Sequence, residues 1–317
     1  MQDVAARVRE AESRIRPYIR ETILAKSVPL SRAGNAEVYC KYENLQHTGS
    51  FKARGAMNRL LVLTPEERAR GVVAASTGNH GAAVARSACE LGAPCIVFVT
   101  ENASSAKLQT IEQYQAEIRP FGTDCAQTEA RAREYSARKQ MTYISPYNDL
   151  DVISGQGTVG VEIVRQLDHK ADAVLVSLGG GLISGVAAHL KSVWPSVRVI
   201  GCSPENSQVM IQSVKAGKVL DIPSLPTLSD GTAGGVEQGA ITFKLCQSLV
   251  DEYVTVTEGE IRESLRTFIE THSMLIEGAA AVAVAAYRKL SAELTGKTTV
   301  ILICGGNISL DTLRSAL

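Results

Sequence analysis

The segment Ser50-Phe51-Lys52-Ala53-Arg54-Gly55 sets one lysine between an aromatic and a small residue. Such surroundings desolvate an ammonium, lower its pKa and leave an amine able to attack a carbonyl, which makes Lys52 the candidate Schiff-base residue. Taken alone, the lysine reads as a solvated charge on the first turn of a helix. Three further segments weigh against that reading. Ser76-Thr77-Gly78-Asn79-His80-Gly81 leads from a short apolar strand into a helix. Hydroxyls and free amides there can hold a carboxylate, and Asn79 can donate to a phenolate oxygen. Gly179-Gly180-Gly181-Leu182 follows an apolar strand and opens a helix, so its backbone N–H groups can cup a phosphate. Cys304-Gly305-Gly306-Asn307 ends another apolar strand, where the Cys304 sulfur can face a ligand lying over the strand ends. Singly, these read as an N-cap cluster, a βα turn and end-of-strand packing.

The elements that must position these residues alternate regularly. From Gly71 the pattern gives strand 72–75, helix 79–91, strand 95–99, helix 106–115, strand 118–121, helix 124–139 and strand 142–145. After Pro146 a second series runs through helix 157–167, strand 173–176, helix 182–193, strand 197–202, strand 252–256 and a last strand, 299–303. Thr257-Glu258-Gly259-Glu260 has the capping-box pattern of a helix running toward Glu270, and residues 1–27 read as an amphipathic helix. Strand-helix repetition of this kind means α/β architecture with parallel sheets.

In order along the chain, the lysine motif, Ser-x-Gly-Asn-His, the glycine loop and Gly-Gly-Asn resemble the pyridoxal-phosphate (PLP)-dependent serine/threonine dehydratases. That is PLP fold type II, similar to the tryptophan synthase β chain, and the resemblance runs from about Leu24 to Leu310. It implies two open, twisted parallel-sheet domains with helices on both faces. The expected large, PLP-binding domain is discontinuous, 1–65 and 148–317, with Glu37–Tyr42 packing back on it. The small, substrate-carboxylate-binding domain is expected at 66–147.

The resemblance implies that Lys52 carries PLP and that Phe51, Asn79, Gly179, Gly180, Gly181, Leu182, Glu277 and Cys304 contact it. Ser76, Thr77, Gly78, Asn79 and His80 are expected around the substrate carboxylate. Leu178 stands where the family loop usually has a first glycine, and Asp230-Gly231-Thr232 matches the turn at the site mouth. A neutral Cys304 thiol beside the pyridine nitrogen would not hold that nitrogen protonated, which favours prompt loss of a β-hydroxyl over a long-lived carbanion. The implied reaction is β-elimination of L-threonine and/or L-serine to a 2-keto acid and ammonia, with free Lys52 removing the α-proton.

Several rival readings stay open. Dehydratases of threo-3-hydroxyaspartate or of the hydroxyectoine pathway share these motifs. A serine racemase would need an acid on the face opposite the lysine, where Thr77 stands, and Thr128 matches the racemase's small-domain arginine. Glu205 matches a first divalent-metal ligand of the family, but Ile211 replaces its second carboxylate, so no metal site is assigned. A non-catalytic PLP or nucleotide module would have no use for Lys52 and Asn79 together.

Bulk properties narrow the field further. The 317 residues carry 33 basic and 33 acidic side chains with no dense basic run, which argues against nucleic acid. The apolar stretch around Ala279–Tyr287 is too short to span a bilayer. Seven scattered cysteines without a Cys-x-x-Cys pair argue against a disulfide framework or zinc site and fit a reducing, cytoplasmic setting. By resemblance the chain is expected to form a homodimer. With the chain stopping at Leu317, the C-terminal regulatory extension carried by biosynthetic threonine deaminases is not expected, nor is feedback control by isoleucine.

Overall fold

The computed structural model describes residues 4–103 and 105–317. Among them are ten strands: β1 (Leu24–Lys26), β2 (Glu37–Tyr42), β3 (Val72–Ala75), β4 (Cys95–Val99), β5 (Glu117–Pro120), β6 (Thr142–Tyr143), β7 (Ala173–Ser177), β8 (Arg198–Pro204), β9 (Glu252–Val256) and β10 (Thr298–Ile303). They form a six-stranded sheet in the order β1-β2-β10-β7-β8-β9 and a four-stranded sheet in the order β5-β4-β3-β6. Every pairing is parallel except the edge pair β1–β2. The larger lobe is built on the six-stranded sheet and the smaller lobe on the four-stranded one.

Chain order and sheet order diverge in the larger sheet. β2 lies beside β10, with Glu37 opposite Thr298 and Tyr42 opposite Ile303, so residues near the N-terminus complete a sheet made mostly of residues after 170. Its central strand β7 is buried throughout, as a parallel strand covered on both faces must be. The Gly278–Leu290 helix is apolar almost all round and lies in the same core, where Ala and Val allow a close approach to β7 and β10.

The Lys52–Leu61 helix straddles the lobes. Ala56 and Leu60 join Val84 and Ala88 of the Asn79–Glu90 helix in the smaller lobe's core, while Gly55 lies against Val152 of the Leu150–Gln166 helix.

Two elements differ from the sequence reading. The N-terminal helix covers Val4–Ile15 rather than 1–27, and residues 1–3 lie outside the described residues. Pro17 breaks it into a short 3-10 turn, and Leu24–Lys26 then joins the sheet as its antiparallel edge. The helix expected from 157 begins at Leu150, where the Asp149 carboxylate accepts from the Asp151 and Val152 amides. Its glycines are packing contacts rather than breaks. A Cβ on Gly157 would stand 2.8 Å from the Gly185 carbonyl carbon, and one on Gly185 would stand 2.3 Å from Ile153 O. Among the described residues no helix is long and apolar enough to cross a membrane.

Candidate active site

Lys52 opens its helix directly behind a junction between the lobes. The Phe51 amide donates to Cys304 O at 3.1 Å, and Ser50 forms an isolated antiparallel bridge with Gly305. The lysine motif is thereby fastened to the end of β10. Nζ of Lys52 donates to Pro146 O at 2.9 Å and lies 5.1 Å from the centre of the Phe51 ring. Burial brings the amine down to about 8, against the opposing pull of Cys304 and Glu277. The amine is therefore partly neutral near physiological pH, as a carbonyl-attacking group must be.

Beyond Lys52 lies a chain of polar side chains from three elements. Asn307 Nδ2 donates to Asn79 Oδ1 at 2.6 Å and to Thr48 O at 2.7 Å. Asn79 Nδ2 in turn donates to the Glu277 carboxylate, whose Oε1 also accepts from Cys304 Sγ at 3.6 Å. Burial pushes Glu277 up to about 7, partly offset by the Asn79 hydrogen bond and reinforced by Asp230. Burial and the neighbouring Glu277 hold the Cys304 thiol well above its ordinary value, so it is neutral. Gly305 must lack a side chain, since a Cβ there would stand 2.5 Å from Glu277 Oε1.

The Ser76–Gly81 turn sits at the end of β3, where the chain enters the Asn79–Glu90 helix without a side-chain cap. Ser76 Oγ accepts from the Gly78 amide at 3.2 Å. His80 points inward, 3% exposed, and its Nε2 pairs with Ile144 O at 2.9 Å. A carbonyl only accepts, so Nε2 carries the proton and Nδ1 is left as a buried acceptor with no partner. Burial, helped by the positive charge of Lys52, lowers the ring to about 3. His80 is thus neutral and brings no positive charge to an incoming carboxylate.

The glycine loop closes the other end. Leu178 is 4% exposed and continues β7 through a bond from its amide to Cys202 O, so the turn begins only after it. Gly180 has φ +91°, a conformation that favours glycine, and the Gly181–Val193 helix begins without a side-chain cap. A Cβ on Gly181 would stand 2.6 Å from Gln156 Oε1 and 3.2 Å from Tyr147 Cα. The buried Thr242 hydroxyl, without a protein partner, lies beside Gly180. Bare helix amides, a glycine cradle and a free hydroxyl donor are the chemistry a phosphate requires.

In agreement with that geometry, the family model described as "pyridoxal-phosphate dependent enzyme" matches residues 15–305. The chain belongs to the PLP-dependent enzyme family. It is 39% identical over 305 residues to an L-threonine ammonia-lyase of Thermotoga maritima, covering 96% of this chain and 75% of that protein. It is 38% identical over 304 residues to the L-threonine dehydratase catabolic TdcB of Escherichia coli K12, covering 95% and 92%. Among solved structures, maize serine racemase superposes with a TM-score of 0.92 at 31% identity, covering 98% and 96%.

This PLP enzyme thus gathers Lys52, Phe51, Asn79, Glu277 and Cys304 at one place, with Gly179–Leu182 at the end of β7 in the larger sheet and Ser76–His80 at the end of β3 in the smaller. Gly231 lies near Glu277, its would-be Cβ 3.9 Å from Oε1. Three residues weighed from the sequence lie elsewhere in role. Thr128 is buried, and its hydroxyl donates to Phe121 O and Asp124 O, both at 2.8 Å. Glu205 is exposed beyond β8, while Ile211 is buried in the larger core. Sequence reasoning left out Pro146, Tyr147, Gln156 and Thr242. A backbone carbonyl has no side-chain signature, and Gln156 and Thr242 lie in unremarkable helical stretches.

Proposed function

We propose that this chain catalyses the dehydrative deamination of L-threonine, and of L-serine, to the 2-keto acid and ammonia. The observation that carries the reading is the buried Lys52 amine, brought to about 8 and set beside the Asn79–Glu277–Cys304 chain. The threonine-acting names of the relatives from Thermotoga maritima and Escherichia coli support the choice of substrate.

In this reading Lys52 anchors PLP, and the Gly179–Leu182 amides with the Thr242 hydroxyl hold its phosphate. Phe51 would pack beside its ring, the Asn79 amide would donate to its phenolic oxygen and the Cys304 thiol would face its nitrogen, while Glu277 braces Asn79. PLP, when bound, supplies the sink for the electron pair left when the Cα–H bond breaks. The Ser76 and Thr77 hydroxyls and the Gly78–His80 turn orient the substrate carboxylate, with the neutral His80 as a polar wall. Lys52, freed by the substrate amine, takes the α-proton at Nζ. The Cys304 thiol does not ionise near neutral pH, so it would not hold a facing ring nitrogen protonated, which would favour loss of the β-hydroxyl.

We further propose that the lobes act as domains, 1–65 with 148–317 and 66–147, in a cytoplasmic homodimer. Serine racemisation is the second reading, favoured by the likeness to maize serine racemase. The test is turnover of L-threonine, L-serine and threo-3-hydroxyaspartate, scored as keto acid, ammonia and D-isomer, with Lys52→Ala as control. 2-Oxobutanoate from threonine, absent in Lys52→Ala, is expected. D-serine outrunning pyruvate would overturn the assignment in favour of the racemase.

A further inference from the structure

Residues 230–239 cross the site mouth as an exposed strap with no regular secondary structure. At its start, Ser229 is buried and its hydroxyl meets the Thr232 hydroxyl at 2.6 Å. Thr232 then passes the glycine loop, its Cγ2 3.9 Å from the would-be Cβ of Gly179. The middle has little to hold it. A Cβ on Gly234, Gly235 or Gly239 would meet nothing within 4 Å, and Gly234 and Gly239 have φ of +133° and +76°. One bond from the Gly234 amide to Ser207 Oγ, at 3.3 Å, ties the strap down there.

Its far end is fastened differently, by one carboxylate reaching in two directions. Glu237 Oε1 accepts from Arg133 Nη2 at 2.9 Å, and Oε2 accepts from Asn148 Nδ2 at 3.0 Å. Arg133 belongs to the Cys125–Lys139 helix of the smaller lobe, lies 4.3 Å over the Tyr143 ring of β6, and is itself steadied by Glu129 at 2.6 Å. Asn148 follows the site residues Pro146 and Tyr147, and its Oδ1 accepts from the Ile241 amide at 2.9 Å. The Glu237 amide donates to Tyr147 Oη at 3.4 Å. Between strap and glycine loop remains a cavity of about 40 Å³, lined in part by Tyr147, Leu178, Gly179, Thr232 and Val236.

We propose that Glu237 is a positioning residue. Through Arg133 it pins the glycine-rich strap to the smaller lobe, through Asn148 to the segment that joins the lobes, and so fixes the width of the mouth through which the amino-acid substrate meets the site. Surface ion pairs contribute little to global stability, and this one is 41% and 29% exposed at its two side chains. Its consequence is local: with Val236 as the strap's one apolar side chain packed on the larger core, the strap depends on its end contacts for a single position.

The inference rests on the functional reading above, and the experiment separates the two. Holoenzyme of the wild type, Glu237→Gln, Arg133→Met and Arg133→Lys is compared by kcat and KM for L-threonine and by the rate of subtilisin cleavage within 230–239. Glu237→Gln and Arg133→Met should raise KM about five- to tenfold with kcat within about twofold, and speed strap cleavage at least about fivefold. Arg133→Lys should keep most of the wild-type behaviour. In the unmutated enzyme, 0.5 M NaCl should raise KM and cleavage together by screening the pair, a check needing no variant. Unchanged strap cleavage in Glu237→Gln, or faster cleavage with KM unmoved, would overturn the inference. A wild type inert toward threonine would sink the functional reading alone, since the cleavage rates still test the pin.

Discussion

The Asn79 amide donates to both oxygens of the Glu277 carboxylate, at 3.2 Å to Oε1 and 2.9 Å to Oε2, joining the first turn of a smaller-lobe helix to the larger lobe. That amide, with the weak Cys304 thiol donor, does not compensate the burial of a full negative charge, so the carboxyl sits up at about 7.

Glu277 is therefore expected to cost stability in alkali. Its folded value is raised, so the protonated form favours the fold. That contribution is fully present below the ordinary value of 4.5 and is lost as pH rises through about 7. Urea melts of the apoenzyme should find Glu277→Gln gaining on the wild type between pH 5 and pH 8.5, by up to roughly 3 kcal/mol. Parallel curves for the two proteins would refute the assignment.

The phosphate cradle makes a graded prediction. A methyl group on Gly181 would collide with Gln156 Oε1 at 2.6 Å and crowd the Tyr147 backbone at 3.2 Å, whereas Gly179 has its nearest atom at 3.9 Å. Reconstitution of apoenzyme followed by absorbance should show PLP affinity falling by about tenfold or more in Gly181→Ala, roughly 1.4 kcal/mol, with Gly179→Ala close to wild type. Gly180→Ala should also weaken binding, because alanine resists φ +91°.

Much of this was legible before the fold was seen, for a physical reason. Glycine clusters between apolar runs mark the ends of parallel strands, where ligands of α/β sheets bind, so Gly179–Leu182, Ser76–Gly81 and Cys304–Asn307 stood out. The same rule misled at residues 150–157. Gly155, Gly157 and Gly160 lower helix propensity, yet close packing of Gly155 on the Lys52–Leu61 helix and of Gly157 and Gly160 on the Gly181–Val193 helix overrides it. The Glu237–Arg133 and Glu43–Arg54–Glu162 contacts were invisible, because single charges far apart in sequence carry no periodic signal.

Lys52 should titrate as a buried amine. Burial favours its neutral form, so in apoenzyme its acylation rate should rise with a midpoint near 8, where solvated lysines follow their ordinary value of 10.5. Peptide mass spectrometry after brief labelling at pH 6 to 11 reads this directly. The same shift means that charging Lys52 opposes folding at pH 7, and the opposition fades as pH climbs from about 8 to 10.5. Lys52→Met apoenzyme should accordingly melt higher than wild type at pH 7, with the gap closing toward pH 10.5.

Two residues beyond Lys52 the helix carries a buried charge cluster that fixes where the lysine can be. Arg54 donates to Glu43 Oε1 and Oε2, both at 2.7 Å, and to Glu162 at 2.7 and 2.8 Å, while Lys41 donates to Glu162 at 2.6 Å. Lys41, Glu43, Arg54 and Glu162 are all 0% exposed, and these contacts tie the lysine helix to β2 and the Leu150–Gln166 helix. Burial works against ionisation, but Arg54 and Lys41 hold Glu162 at about 2. A depressed carboxylate stabilises the fold above its ordinary value of 4.5, and the contribution is lost as pH falls toward 2. Arg54→Met strands two buried carboxylates beside Lys41 and should cost about 3–5 kcal/mol in denaturant melts at pH 7. The deficit should narrow as the pH is lowered below about 5, because the wild type gives up Glu162's contribution there while the variant has less to lose. A deficit independent of pH would assign the loss to packing of the arginine stem instead.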